Sequence, residues 1–444
     1  MAIIQKEIIS LGAALQREVR VPIYQRPYKW STDQAMQLLE DVIHHQGQGK
    51  QNYRIGTMVF HQPSKREGKG AVVDIVDGQQ RLVTLSLLVL HLEKDTGVKI
   101  TIDIPLLDHE FDHSVSISNI RRNAAALAKR LRELKEEERF LLHQFLLQKC
   151  QVVAITLDDI SEAFQFFDSQ NARGKDLEPY DLLKAFHLRE MSGVSEEEEC
   201  AYVENWEKAV ESGTVKTLMD NYLYRIRRWS RGKSGREFTK AQVNVFKGVS
   251  LNKMPHFNYL KSYRVNDHFT REYASDPVRR IDNMKGQYPF QIDQVMLNGR
   301  YFFDYIEHYL SLFQELFRDG SGLDEEIIYV INSYEGRNRT GDRYIRNLFD
   351  CALLHYYDKF GYYHLEKYTK VCFIWSYKKR LTNVAVKLAT MDNEGIGRDS
   401  LFRIIREAIV PADVLTVELA PVDNDEIEGT KVADILKQFR KLGY

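Results

Sequence analysis

Five consecutive polar residues form the stretch of this chain best suited to binding chemistry: Asp77, Gly78, Gln79, Gln80 and Arg81. Apolar residues flank them, so the sequence predicts a buried strand over residues 72–76, a tight turn, and a helix opening at Arg81. Asp77 and Gln80 have the spacing of a helix-capping box. A helix N-terminus offers free N–H groups and a positive dipole end, which attract phosphate, and Arg81 adds a permanent cation. The sequence therefore predicts an anion site, the alternative being a plain helix cap beside a surface salt bridge.

A second box, residues 21–30 (VPIYQRPYKW), crowds aromatic side chains around two polar ones. Its prolines exclude a regular helix, and an extended loop with Tyr24, Gln25 and Arg26 can stack on a flat base and hydrogen-bond its edge. The alternative is an aromatic cluster that pins the loop to the core. Ser31 then begins a helix, with Gln34 three residues later as its capping partner.

A third box, residues 164–189, contains a polar turn after an apolar run. Asn171, Arg173 and Lys175 belong to this turn, and the two cations could reach a second phosphate. The alternative is a solvated loop. Pro179 suits the first position of the helix that follows.

The elements that must position these boxes differ between the two halves of the chain. Residues 54–61 and 71–76 read as paired strands, residues 100–104 and 152–157 as further strands, and residues 118–148 as helical. Beyond about residue 195 the pattern is almost wholly helical, at residues 200–211, 215–229, 240–249, 298–317, 323–331, 342–359, 362–389 and 400–409. The sequence therefore predicts an α+β fold class, with a nucleotide-binding domain over residues 1–192 and an all-α domain over residues 193–444.

The three boxes, in this order and spacing, resemble the N-terminal domain of the GmrSD family. Those proteins belong to modification-dependent (type IV) restriction systems and related phage-defence proteins. The family's domain resembles the ParB/sulfiredoxin fold, in which a turn before a helix binds nucleotide phosphates. The resemblance covers about residues 21–189 and implies nucleotide binding and hydrolysis coupled to DNA restriction.

The resemblance also implies roles for individual side chains. Arg26 would stabilise charge on a transferred phosphoryl group, and Asp77 would position a Mg²⁺-bound water, with Gln80 and Arg81 as further catalytic residues. The cofactors expected are an NTP of undetermined base and Mg²⁺; no all-protein metal site is predicted. The expected nucleotide contacts are Tyr24, Gln25, Arg26, Gly78, Gln79, Gln80, Arg81, Asn171, Arg173 and Lys175. No Walker GxxxxGK[ST] motif is present, which argues against a P-loop mechanism.

Many members of the family carry a C-terminal HNH nuclease, whose chemistry needs histidine. Residues 392–444 contain none, and His355 and His364 lie in a helical, Tyr-rich stretch where core or surface positions are expected. The sequence therefore predicts a protein that works with a separately encoded nuclease. One alternative is a nucleotide-gated or modification-sensing DNA-binding subunit without turnover. The other is a nuclease whose metal site uses Asp and Glu residues.

Cations cluster in the helical half, although the formal net charge of the chain is only -1. Those predicted to contact DNA, including modified phage DNA, are Arg225, Arg227, Arg228, Arg231 and Lys233, with Trp229 as a stacking surface. A second set comprises Arg337, Arg339, Arg343 and Arg346. The alternatives are a solvated helix end and a docking site for an acidic partner.

Composition limits the class of protein. A hydrophobic content of 43% and a charged content of 28% are those of a soluble globular chain, and 444 residues suggest two or three domains. Four cysteines without CxxC spacing argue against a zinc site or a disulfide scaffold. No secretory signal and no long apolar run are visible, so a cytoplasmic protein without a membrane partner is expected. Self-association into a homo-oligomer is left open.

Overall fold

A computed structural model describes residues 3–22, 25, 27–48, 52–62, 72–95, 102–158, 178–191, 193–252, 257–278, 288–319 and 322–444. It divides the chain into two compact units, Met1–Leu177 and Glu178–Tyr444. Five of the predicted ligand contacts lie outside the described residues, namely Tyr24, Arg26, Asn171, Arg173 and Lys175.

The first unit is built on a five-stranded mixed sheet. Its strands are β1 (Ile3–Ser10), β2 (Val19–Arg20), β3 (Tyr53–His61), β4 (Val73–Asp77) and β5 (Cys150–Leu157). The spatial order is β1-β5-β3-β4-β2, in which β3 pairs antiparallel with β4 and parallel with β5. The predicted β3–β4 pair and β5 are therefore confirmed, whereas β1 and β2 were not predicted. The predicted strand at residues 100–104 is wrong in its described part, because residues 102–104 are irregular.

In the described residues of this unit, five α-helices accompany the sheet: α1 (Leu11–Leu15), α2 (Thr32–Gly47), α3 (Gln79–Asp95), α4 (Ser114–Arg132) and α5 (Glu136–Gln148). Helix α3 is the centre of the core, because Leu85, Leu88 and Leu92 are fully buried against the other elements. Helix α2 begins with the predicted capping box of Ser31 and Gln34. The polar turn before α3 is thus attached to a helix that is buried along most of its length.

The second unit is mostly helical in its described residues, as predicted. Its helices are α6 (Pro179–Arg189), α7 (Glu196–Glu211), α8 (Thr214–Leu218), α9 (Tyr224–Trp229), α10 (Leu260–Ser275), α11 (Arg300–Gln314), α12 (Glu325–Ser333), α13 (Thr340–Phe360), α14 (Leu365–Leu381), α15 (Leu388–Ile396), α16 (Leu401–Glu407), α17 (Pro411–Leu415) and α18 (Ala433–Lys441).

Three details of the helical unit depart from the predicted pattern. The stretch predicted as a helix at residues 240–249 is a 3-10 helix, Lys240–Phe246. The expected helix at 362–389 is two helices, α14 and α15. There are two π-helical turns among the described residues: Met219–Leu223 lies between α8 and α9, and Glu315–Asp319 continues from α11. The fold class is therefore a mixed α/β unit followed by a helical one, and its relation to the ParB/sulfiredoxin fold stays a prediction.

Candidate functional site

The predicted turn is formed by the end of β4, one glycine and the first residue of α3. Gly78 has a φ of +96°, and a Cβ added there would lie 3.0 Å from Cγ of Met58. Only glycine adopts this backbone conformation without strain. Gly78 therefore allows the sharp turn between the end of β4 and the beginning of α3.

Asp77 and Arg81 face each other across this turn. The Asp77 Oδ1 atom accepts a hydrogen bond of 2.7 Å from the Gly78 N–H, and Asp77 Oδ2 lies 3.9 Å from Arg81 Nη2. The same Nη2 donates to the Thr57 carbonyl at 2.9 Å. The guanidinium is thereby held against β3 with 27% of the side chain exposed.

Gly56 makes the space that Arg81 occupies. Its φ is +146°, and an added Cβ would lie 1.9 Å from Arg81 Nη1. The β3–β5 register shifts between Arg54 and Gly56, so the strand is irregular at this point. Gly56 is not among the predicted site residues, although a glycine inside the strand pattern RIGTMVF is the usual signal of a bulge or of close approach by another group.

Gln80 does not form the predicted capping box with Asp77. Its Oε1 accepts from the backbone N–H groups of Lys29 at 2.8 Å and Trp30 at 3.2 Å, and its Nε2 donates to the Pro27 carbonyl at 3.2 Å. The capping prediction is wrong because the 27–30 loop offers two donors and one acceptor to the same amide. Gln80 therefore anchors a loop, and this use of its side chain argues against the predicted catalytic role.

Gln25 also serves the backbone. Its Nε2 donates to the carbonyls of Ile75 and Val76, both at 2.9 Å, so the loop is attached to β4 immediately before the turn. Tyr28 is fully buried, and its hydroxyl lies 2.8 Å from Thr84 Oγ1. For these residues the structure favours the alternative in which the box pins the loop to the core. It also places the loop next to the turn.

The turn is mostly covered. Gly78, Gln79 and Gln80 are buried, whereas Asp77 and Arg81 are half-exposed. The Gln79 side chain is 5% exposed, and its Oε1 has no hydrogen-bond partner within the described part of the chain. A buried acceptor of this kind is normally satisfied by water or by a ligand donor.

The predicted DNA-contacting cations, which we call the arginine segment (residues 225–233), are divided by the fold. Arg225 and Arg227 are buried, and Arg227 Nη1 donates to the carbonyls of Ile292 and Gln294, the latter at 3.1 Å. Trp229 is fully buried, and its Nε1 donates to Asp392 Oδ1 at 2.9 Å. These contacts correct the prediction of one exposed cationic surface with a stacking tryptophan, because the inward side chains satisfy carbonyls and a carboxylate of the unit itself.

The remaining cations of the segment keep contact with solvent. Arg228 Nε donates to the Ser234 carbonyl at 2.7 Å, and Arg231 Nη2 donates to the Asp293 carbonyl at 2.9 Å. Burial lowers the pKa of Arg231 below its ordinary value. Lys233 is exposed. DNA contact by these three residues stays a prediction.

Two histidines and three of the four cysteines can be compared with the positions expected of them. His355 is buried, and burial lowers its pKa to about 4, whereas His364 is exposed. Cys150, Cys351 and Cys372 are buried free thiols. Over the ranges that the structure describes, no group of three or more His, Cys, Asp or Glu side chains is placed to hold a metal ion. None of the described helices combines the length and apolar composition needed to cross a bilayer.

Comparison with known families assigns both parts of the chain. Residues 5–188 match the model of the GmrSD restriction endonuclease N-terminal domain, a range that contains the first two boxes and all but the last residue of the third. Residues 198–434 match a family of unknown function, DUF7834. No curated protein matches the chain. The chain therefore belongs to the DUF7834 family, and its first part is a GmrSD restriction endonuclease N-terminal domain.

Proposed function

We propose that the first unit binds a nucleoside triphosphate at the turn of residues 77–81 and hydrolyses it, as part of a restriction or phage-defence system that acts on DNA. Membership of the GmrSD N-terminal domain family supports the link to restriction. The observation that carries the nucleotide site is the β4–Gly78–α3 turn with Arg81 beside it.

Phosphate binding would use the main chain first. The first N–H groups of a 17-residue helix have no partner within the helix and lie at the positive end of its dipole. Arg81 is already oriented by the Thr57 carbonyl and by Asp77, so little side-chain entropy is lost when it pairs with a phosphate oxygen. The unpartnered Gln79 oxygen can accept a hydrogen bond from a ribose hydroxyl or a base amine.

Hydrolysis would depend on Asp77 and on residues of the first and third boxes. The Gly78 N–H fixes the Asp77 carboxylate at the mouth of the turn, where it could share a Mg²⁺ ion with phosphate oxygens. Such an ion neutralises the developing charge on the phosphates when it is bound. We assign Arg26, Asn171, Arg173 and Lys175 to the same pocket by the family resemblance, with Tyr24 against the base.

The test is phosphate release from each of the four NTPs with Mg²⁺, with and without phage DNA, alongside direct binding measurements. Arg81→Ala is expected to weaken binding about tenfold, the usual loss for one charge-assisted hydrogen bond. Arg130→Ala is a matched control, because Arg130 has the same 27% side-chain exposure and pairs with Glu40 away from the turn. Unchanged binding by folded Arg81→Ala would refute the site.

A second candidate function is a nucleotide-gated sensor subunit without turnover, which works with a separate nuclease. The engagement of Gln80 with residues 27–30 favours it, since this amide is then not free to orient a water. Nucleotide binding without phosphate release, with or without DNA, would support this candidate. Metal-dependent DNA cleavage by the purified chain would instead favour a nuclease with a carboxylate site.

A further inference from the structure

The helical unit contains a cavity of about 430 Å³ with a cationic lining. We call it the arginine pocket, and define it by Arg225, Arg337, Arg343, Arg346 and Tyr377. Three of these arginines belong to the set at residues 337–346 that the proposed function does not use. The residues that line the cavity come from several helices and from a π-helical turn, so the pocket is a product of tertiary packing.

Positive charge exceeds negative charge in this cavity. Arg346 Nε donates to Asp350 Oδ1 at 2.7 Å, and Asp350 is the only carboxylate among the lining residues. Arg337 and Arg343 donate instead to main-chain carbonyls, at 3.2 Å and 3.0 Å respectively. Guanidinium groups gathered without matching carboxylates repel one another, and an anion in the cavity would relieve that repulsion.

Two buried donors lack partners at the wall of the pocket. Arg225 is 8% exposed and Tyr377 is 0% exposed. Within the described part of the chain, Nε of Arg225 and the hydroxyl of Tyr377 have no hydrogen-bond partner. Buried polar groups are nearly always satisfied by protein, water or ligand. Both atoms can donate, so the pocket is prepared for an acceptor-rich ligand.

An apolar recess of about 280 Å³ adjoins the arginine pocket and shares Asn332 and Arg346 with it. Phe317, Leu323 and Ile328 are among the residues that line it. Each π-helical turn supplies one ring: Tyr222 lines the arginine pocket and Phe317 lines the recess, with their ring centroids 6.3 Å apart. Isolated π turns occur often at functional sites.

We propose that the arginine pocket and the adjoining recess together bind a small phosphorylated molecule with a flat ring, a nucleotide by chemical class. The phosphates would contact the guanidinium groups, and the ring would lie in the recess with Phe317. A cavity of about 430 Å³ suits a compact ligand rather than the backbone of a duplex. This site is separate from the turn at residues 77–81 and does not depend on it.

Photolabelling of the full chain with 8-azido-ATP, followed by peptide mapping, tests the proposal. Label is expected in peptides that contain residues 313–333, and ADP or pyrophosphate should reduce it. Label confined to residues 1–177 would overturn the proposal of a nucleotide site in the arginine pocket but not the proposed site at residues 77–81. Label confined to the helical unit would support the pocket and refute the proposed site at residues 77–81. Competition by a single-stranded oligonucleotide but not by ADP would overturn the proposal that the pocket binds a small phosphorylated molecule.

Two variants sharpen the test. Arg337→Gln and Arg343→Gln change exposed side chains that bond only to carbonyls nearby in sequence, so the fold should persist. Each is expected to weaken ADP competition about tenfold. Arg403→Gln is the control, because Arg403 is also exposed and pairs with Glu407 on its own helix. Unchanged affinity in both pocket variants would overturn the proposal.

Discussion

The turn at residues 77–81 and the arginine segment at residues 225–233 are both polar stretches beside apolar ones, but the fold uses them differently. The turn keeps its two charged side chains half-exposed and directs its main chain through Gly78. The arginine segment turns Arg225, Arg227 and Trp229 inward. The difference teaches that local backbone geometry can be inferred from neighbouring residues, whereas the direction of a long cation depends on carbonyls far away in sequence.

Arg227→Gln should produce the largest effect. The shorter side chain cannot reach the Ile292 and Gln294 carbonyls, so the free energy of unfolding should fall by about 3 kcal/mol. Urea denaturation measures this. Lys233→Gln, at an exposed position of the same segment, should change it by less than about 0.5 kcal/mol. Equal stability of the two variants would contradict the comparison, because it would indicate that the Arg227 side chain is not buried.

The next effect depends on pH and on the same residue, Ile292. Burial raises the pKa of Asp358 from 3.8 to about 7, despite hydrogen bonds from the Ile292 N–H at 2.8 Å and the Tyr309 hydroxyl at 2.5 Å. Between pH 3.8 and about 7 the Asp358 carboxyl group is therefore protonated in the folded protein and ionised in the unfolded chain. Its contribution to stability is present below pH 3.8 and is lost as the pH rises through about 7.

Asp358→Asn carries no such proton and isolates this contribution. Relative to wild type, the variant should gain on the order of 2 kcal/mol in unfolding free energy between pH 5 and pH 8. Denaturation of both proteins at the two pH values gives the difference directly. A difference that does not vary with pH would mean that the carboxyl group is ionised in the folded protein.

A smaller loss is expected for Gly78→Ala in the turn. The φ of +96° and the approach to Met58 should cost about 1–2 kcal/mol of stability and tilt the N-terminus of α3. Nucleotide affinity should fall about tenfold as a result. Gly47→Ala, at the last residue of α2 with open space around it, is the control; it should leave nucleotide affinity unchanged and raise stability by up to about 1 kcal/mol. Loss of stability without loss of nucleotide affinity would contradict the proposal that the nucleotide binds at this turn.

The smallest effects on stability belong to the outward cations. Arg228→Gln and Lys233→Gln should each reduce the slope of log DNA affinity against log salt by about one unit, with unfolding free energy within about 0.5 kcal/mol of wild type. Titration of a labelled duplex at several salt concentrations measures the slope. An unchanged slope for both would show that the arginine segment does not contact DNA.

Local signals were sufficient for much of the fold. The Ser31 capping box and the Pro179 helix start follow from interactions within a few residues, and both are confirmed. The β4–turn–α3 unit follows from the change between apolar and polar residues. The family of the first unit was also identifiable from its three boxes.

The side-chain contacts that could not be predicted from the sequence depend on partners far away along the chain. Gln80 does not form the expected capping box because its side-chain oxygen accepts from the N–H groups of Lys29 and Trp30, about 50 positions away. Trp229 turned inward toward Asp392, 163 positions away. The arginine pocket draws on Arg225, Arg346 and Tyr377, and no spacing rule connects them. Charge and aromatic content predicted the type of chemistry in these regions, but not which side chains would reach solvent.

The π-helical turn Met219–Leu223 also bears on how such a pocket can arise. A π turn closes around one more residue than an α turn, so it is equivalent to a single inserted residue. Its Asn221 carbonyl accepts from Asn347 Nδ2 at 3.0 Å and from Cys351 Sγ at 3.1 Å, which joins the turn to α13. Deleting one residue here would restore continuous α-helix from α8 to α9, whereas the same deletion within α13 would rotate all later residues of that helix by about 100°. One codon could therefore separate chains with this pocket wall from chains without it, while the surrounding helices stay in register.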